Sequence, residues 1–357
     1  MTSLLDLATT LVEIPSPSRD EAAVADFIEE QLGGHEHLEV LRVGENVIAR
    51  TMLGRSSRVI VAGHLDTVST GAPPACVRDG ELWGLGAADM KGTIAVMLSA
   101  ALELSDPSVD VTWIFYAREE IARSESGLLE IERYDPEILV GDIAILGEPT
   151  GDVIEAGCQG TLRVEITVGG VAAHSARPFM GRNAIHRAAR IIHAIAEAPV
   201  RVVEIDGIHF AEQVQVVGIT GGGAGNVVPS EATLLVNHRF APDRTTEEAG
   251  AWLLSVVEDA LDPTLGDGLR IVDGAPGALP HLDHPILTQL VELVGGQVTA
   301  KVGWTDVATF AERGVPAVNF GAGDPLLAHH LDERVSGASL EAVSAALRSL
   351  LVDPRWR

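Results

Sequence analysis

The chain has only two cysteines, Cys76 and Cys158, in 357 residues, far apart and without a CxxC pair. That excludes a disulfide-built scaffold and a thiolate zinc knuckle, and it suits a reducing cytoplasm. Positive charge is scarce as well: 25 basic side chains face 51 acidic ones, a formal net charge of −26. Such a chain repels nucleic acid and anionic membrane surfaces, so neither is expected as a partner. No apolar run approaches the ~18 residues that span a bilayer, which predicts a soluble protein. Repeats and low-complexity tracts are missing too. Near the start, Leu4, Leu5, Ala8, Leu11 and Val12 fall at helical spacing. Asp6 interrupts them and no basic segment precedes them, so they read as a surface helix and not as a signal peptide.

What is present describes a globular chain. Hydrophobic residues make up 46% and charged ones 21%, a balance that rules out disordered and collagen-like classes. The length allows two separate cores. A Pro-driven turn at Ile14–Ser18 leads to a helix over 21–32, for which Ser18 is the expected N-cap. Short β-rich runs at 46–52, 58–62, 111–116 and 143–146 then alternate with helical stretches at 92–104 and 125–131, the pattern of a mostly parallel sheet with covering helices. From about Thr161 the strands alternate apolar and polar residues (162–168, 214–218, 232–239) between helices at 183–197 and 246–261. That alternation predicts an antiparallel sheet with one open face. Segments 286–294, 317–320 and 339–351 return to the first pattern. The expected fold is α/β: a mostly parallel-sheet catalytic domain, 1–160 plus 276–357, with an inserted smaller α+β domain, 161–275.

Five places carry chemistry. An apolar strand ends in Gly63-His64-Leu65-Asp66, and open α/β sheets bind ligands at that end of their strands. A lone histidine there is more often structural, so it needs company. Gly84-Leu-Gly-Ala-Ala-Asp89-Met-Lys-Gly92 holds one carboxylate in a glycine-rich loop before a helix, by itself a weak signal, since such an Asp is most often a turn residue. Glu119 and Glu120 end another apolar strand, where adjacent like charges cost energy unless a cation or a shared proton offsets them. Glu148 ends a further strand, and Ala328-His329-His330-Leu-Asp-Glu333 follows the last. One such place is ordinary. Five in strand-end order point to two borderline-hard cations about 3.5–4 Å apart, held by imidazole and carboxylate, with a hydrolytic water and a carboxylate base beside them.

Taken together, GHLDT, GLGAADMKG, YAREE, LGEPT and AHHLDE resemble the M20 family of metallopeptidases and deacylases, over nearly the whole chain and in the family's order. The resemblance implies that His64, Asp89 and Glu148 hold one zinc and that Asp89, Glu120 and His329 hold the other, Asp89 bridging; a zinc–cobalt pair is the variant. It implies Glu119 as general base and Asp66 as the carboxylate that orients His64. His329 is taken over its neighbour His330 because the family's ligand lies four residues before the glutamate that is here Glu333. The inserted segment resembles the family's dimerisation domain, which implies a homodimer. Its stretch 172–178 resembles the one whose histidine reaches the partner's active site, which makes His174 the group that stabilises the oxyanion. Asn226 and Arg239 are implied as substrate contacts, the arginine pairing its fork with a carboxylate.

Within the family, Gly157–Thr161, Gly303-Trp-Thr305-Asp306 and Gly321–Pro325 resemble most the actinobacterial branch that desuccinylates N-succinyl-L,L-diaminopimelate. On that resemblance Arg177 or Arg239 meets the succinyl carboxylate, Asp324 the far ammonium, and Thr305 lies among the contacts. An N-acyl amino acid is thus the expected partner. The alternatives are an acetylornithine-type deacetylase, a dipeptidase or carboxypeptidase on the same scaffold, and a metal-binding regulatory homologue without catalysis.

Overall fold

The computed structural model describes residues 3–69 and 73–357. It divides into two compact units, the first comprising Met1–Gly157, Pro280–Thr299 and Thr305–Arg357, the second Cys158–Leu279 with Ala300–Trp304.

The first unit is built on an eight-stranded sheet. At its centre Arg58–His64 lies between Asp110–Tyr116 and Ile143–Leu146, parallel to both, and Ala317–Asn319 runs parallel to Ile143–Leu146. These strands read as unbroken apolar runs because both faces are covered: every residue from Val59 to His64 is buried, as is all of Asp110–Tyr116. Antiparallel strands flank them, Asn46–Arg50 against Asp110–Tyr116 on one side and Ile154–Ala156 against Ala317–Asn319 on the other. Register then fixes where the functional loops begin. His64 is level with Tyr116, and Leu146 is level with both Ala62 and Asn319. Four parallel strands therefore release their chains at one edge.

The helix Gly92–Glu103 is apolar all round, with buried residues on every side from Gly92 to Ala101, as expected of a helix covered by sheet and by other helices. Helices Leu4–Glu13, Ala22–Leu32 and Gly337–Leu351 pack against it. One local expectation is corrected. The second helix starts at Ala22 with Glu21 in the cap position and no side-chain cap; the Ser18 hydroxyl instead donates to Asp66 Oδ2 at 2.7 Å, 48 residues away. The buried carboxylate is a charged acceptor for the hydroxyl proton, and Ser18 stands too far before Ala22 for its oxygen to cap the helix amides.

The second unit is a four-stranded antiparallel sheet in the order Gln213–Gly221, Glu231–Phe240, Gly160–Gly169, Gly268–Ala275. Leu162, Val164, Ile166, Val168, Ala232, Leu234 and Val236 form its core with helices Ala184–Ala196 and Thr246–Val257. The period-two alternation along Glu231–Phe240 places Arg239 on the opposite face. Thr245 opens the second of these helices with a full capping box to Glu248. The fold is thus a largely parallel α/β unit with a smaller α+β unit inserted in its chain. Among the described residues no helix is long and apolar enough to cross a membrane.

Candidate metal centre

The shared strand edge gathers the chemistry of the first unit. His64 closes its strand with a fully buried ring. Its Nε2 lies 3.0 Å from Asp89 Oδ1, while Nδ1 faces the Asp66 carbonyl at 2.9 Å and the Asp66 carboxylate at 3.5 Å. Asp89 reaches the ring from the irregular turn Ala87–Lys91, which follows Gly86 at φ 80° and in which Asp89 and Met90 leave helical geometry.

The acidic pair follows Tyr116 in a turn with three anchors. Ala117 N donates to Asn46 Oδ1, Arg118 adopts φ 62°, and the amides of Glu119 and Glu120 donate to the two oxygens of Asp66 at 2.9 and 3.0 Å. Asp66 therefore does more than face an imidazole: with the Ser18 hydroxyl as well, its carboxylate fixes the backbone that carries both glutamates. Glu148 arrives two residues after the strand Ile143–Leu146. His329, at φ 65°, brings Nε2 to 2.7 Å from Glu120 Oε1 and 3.3 Å from Asp89 Oδ2.

Three sets of donor atoms thus lie within 4.8 Å of one another: His64–Asp89–Glu148, Asp89–Glu120–His329 and His64–Glu119–Glu120. Asp89 belongs to two of them. Ionised carboxylates at such a spacing repel by roughly 3 to 4 kcal/mol per pair at an effective dielectric constant of about 20, so the cluster requires counter-cations. In the bare chain the two histidines serve. Burial opposes a charge on His64, but Asp66 and Asp89 outweigh it and hold its pKa well above the usual value; hydrogen bonds to Asp89 and Glu120 raise that of His329 to about 10. Burial, with Glu148 nearby, pushes the Glu119 carboxyl well above the carboxylate range. Nitrogen and oxygen donors in two triads that share one carboxylate fit a pair of divalent cations, which would replace those protons.

The other expected residues fall in different places. Thr305 is buried and donates to Asn319 Oδ1 at 3.0 Å. Asp324 accepts from Leu326 N to cap a short turn and lines a cavity of about 400 Å³ with Glu81, Asp152 and Arg334. His330 donates its amide to Leu327 O. In the second unit, Ala173–His174 pairs with Val227–Val228, and Ser175 N donates to Asn226 O, so His174 and Asn226 are neighbours there. Arg177 closes the same turn, donating to His174 O at 2.7 Å. Ala176 N donates to His174 Nδ1 at 3.1 Å, which leaves the ring proton of the neutral form on Nε2, facing outward as a donor. Desolvation and Arg163 both lower the pKa of Arg239, and no acidic side chain among the described residues pairs with it.

Sequence reasoning overlooked Ser18, Arg118 and Asp306. Asp306 is fully buried, accepts from Thr309 at 2.6 Å, and lies close enough to raise the pKa of both Tyr116 and Glu119. It follows Thr305 in a turn already singled out. The arginine before two glutamates was the visible signal for Arg118; Ser18 had none, because its acceptor is remote in sequence.

A cradle of imidazoles and carboxylates at the carboxyl edge of a parallel sheet, buried at His64, Asp89 and Glu148 and open at His329, defines a metal-dependent hydrolase site. The chain belongs to the M20 metallopeptidase family: the description Peptidase family M20/M25/M40 matches residues 60–353. It is 48% identical over 349 residues to a Mycobacterium tuberculosis protein assigned as a succinyl-diaminopimelate desuccinylase, covering 97% of each. It is 43% identical to the succinyl-diaminopimelate desuccinylase of Corynebacterium glutamicum, covering 97% of this chain and 95% of that one. In fold it is similar to a tripeptidase from Staphylococcus aureus, with a TM-score of 0.79 at 21% identity, over 98% of this chain and 96% of that one.

Proposed function

We propose that this chain hydrolyses N-succinyl-L,L-2,6-diaminopimelate to succinate and L,L-diaminopimelate. The observation that carries the chemistry is Asp89 standing between two donor triads with Glu119 at their margin; the near-full-length likeness to two desuccinylases supports the substrate. In this reading His64, Asp89 and Glu148 hold one zinc, and Asp89, Glu120 and His329 hold the second zinc or a cobalt. When bound, the ions supply Lewis acidity to the amide carbonyl and lower the pKa of water.

The protein's own groups account for the proton. Glu119 accepts it from the attacking water and returns it to the amine nitrogen as the C–N bond breaks. Burial favours its protonated form, which suits a carboxylate that takes up a proton and gives it back. Asp66 keeps Glu119 and Glu120 in place through their amides. His174, with its donor on Nε2, suits an oxyanion, serving the partner subunit's site in a homodimer. Arg239, desolvated and without an acidic partner among the described residues, suits the succinyl carboxylate, with Arg177 and Asn226 beside the substrate. Asp324 takes the far ammonium, since its cap uses one carboxylate oxygen only. The two free cysteines suit a cytoplasmic enzyme.

The test is hydrolysis of N-succinyl-L,L-diaminopimelate beside N-acetylornithine by zinc-loaded protein, with Glu119→Ala as control. Preference for the succinyl compound, lost in the control, is the expected result. Preference for acetylornithine would keep the mechanism and overturn the substrate.

A further inference from the structure

Glu333 supplies no atom to either donor triad, yet it is almost completely buried, at 1% exposure. An isolated carboxylate is expensive to bury, and this one is held by amides. Its Oε1 accepts from both Ala88 N and Asp89 N at 2.9 Å, and its carbonyl accepts from Gly84 N at 3.0 Å. The segment so gripped is the irregular turn that presents Asp89. Its own backbone bonds run from Lys91 N to Gly86 O and from Gly92 N to Ala87 O, and between them Asp89 and Met90 leave helical dihedrals, at −119°, 91° and −134°, 30°. On its other side, Glu333 N donates to His330 O, closing the loop that carries His329, and the next residues, Arg334–Ser336, pair with the strand Glu81–Trp83.

We infer that Glu333 is a positioning residue: one side chain and its own backbone tie the turn of Asp89 to the loop of His329, and so set the separation of the two donors. This rests on the two-cation reading above. Asp89 is the donor common to both triads, so an error in its turn reaches both sites, whereas an error at Glu120 or Glu148 reaches one. What the turn needs is an acceptor oxygen at the right reach. Charge is secondary, and that distinguishes a positioning role from bulk electrostatics.

Three variants separate the possibilities. Glu333→Gln keeps an acceptor oxygen at the same distance, Glu333→Asp keeps the charge but is one methylene short, and Glu333→Ala removes both. Hydrogen exchange of the metal-free proteins reads the clamp without any ion: segment 84–91 should lose protection in Glu333→Asp and Glu333→Ala and keep it in Glu333→Gln. Zinc titration should show both equivalents weakened about 10- to 100-fold in Glu333→Asp, and binding within a few-fold of wild type in Glu333→Gln. If Glu333→Ala fails to fold, the Gln and Asp pair still decides. The inference is overturned if Glu333→Asp behaves as wild type in exchange, or if Glu333→Gln is the worse of the two. A wild-type protein that binds no divalent ion would instead sink the two-cation reading, and the exchange experiment would still report on the clamp.

Discussion

Glu119 and His329 show how single side chains here carry charge that the site must answer. Replacing Glu119 by Gln keeps its volume and its backbone bonds to Asp66 but removes the proton acceptor. Turnover of the succinyl substrate should then fall about 10²- to 10⁴-fold with bound zinc unchanged, checked by initial rates beside elemental analysis of the same samples; a loss of metal in step with activity would show that Glu119 acts as a ligand. His329 makes a prediction about pH. In the metal-free protein its pKa of about 10 stands above the ordinary 6.5, so the folded state binds a proton that the unfolded state has released. The stability it contributes is complete below about 6.5 and is lost as pH rises through about 10. Thermal melts of metal-free protein should therefore fall from pH 7 to 10, and the fall should be shallower in His329→Ala. Parallel profiles for the two would refute the assignment. The ring is half exposed, so the effect is best read as a difference between variants and not as a free energy.

At the scale of elements, the site depends on loops that pass one another at close quarters after their strands end. Gly321 follows Ala317–Asn319, and a Cβ there would overlap the carbonyl oxygens of Gly147 and Glu148. Backbone cannot yield as a side-chain tip can, so Gly321→Ala should cost about 1–3 kcal/mol, a fall in Tm of about 2–10 °C, and should weaken the triad containing Glu148 before the one containing Glu120. Zinc titration with melting curves checks both; two equivalents that bind as in the wild type would contradict it. These same loops mark the boundary of what the sequence discloses. The strands Arg58–His64 and Ile143–Leu146 announce themselves because burial on both faces demands unbroken apolar runs, and the helix Ala184–Ala196 because one stripe faces a core. The strand Gly268–Ala275 has no such signature: six of its eight residues are exposed, so neither alternation nor an apolar run marks it, and it joins the sheet at its edge, beside Gly160–Gly169. In the site, the side chains at strand ends could be picked out because their residue types are costly there without a cation. Ser18 and Asp306 act on those side chains from a distance in sequence, and no local pattern encodes that.

For the whole molecule, all five donors and Glu119 lie within one compact unit, while the second unit has a complete core of its own from Leu162 to Val257. The ions should therefore stabilise the chain unevenly. A ligand present at about 100 times its dissociation constant adds roughly 2.7 kcal/mol to whatever binds it, and in a chain with a net charge of −26 the bound cations also relieve self-repulsion. Chelation should lower protection in peptides from Arg58–His64 and Asp110–Tyr116, strands that deliver donors, and leave peptides from Gly160–Gly169 and Glu231–Phe240 close to their loaded values. Hydrogen exchange at a temperature just below the melt of the metal-free protein makes the comparison in one sample. An equal loss in both sets would mean that the two units unfold as one, and the division of labour between a cation-holding unit and a self-sufficient one would have to be abandoned.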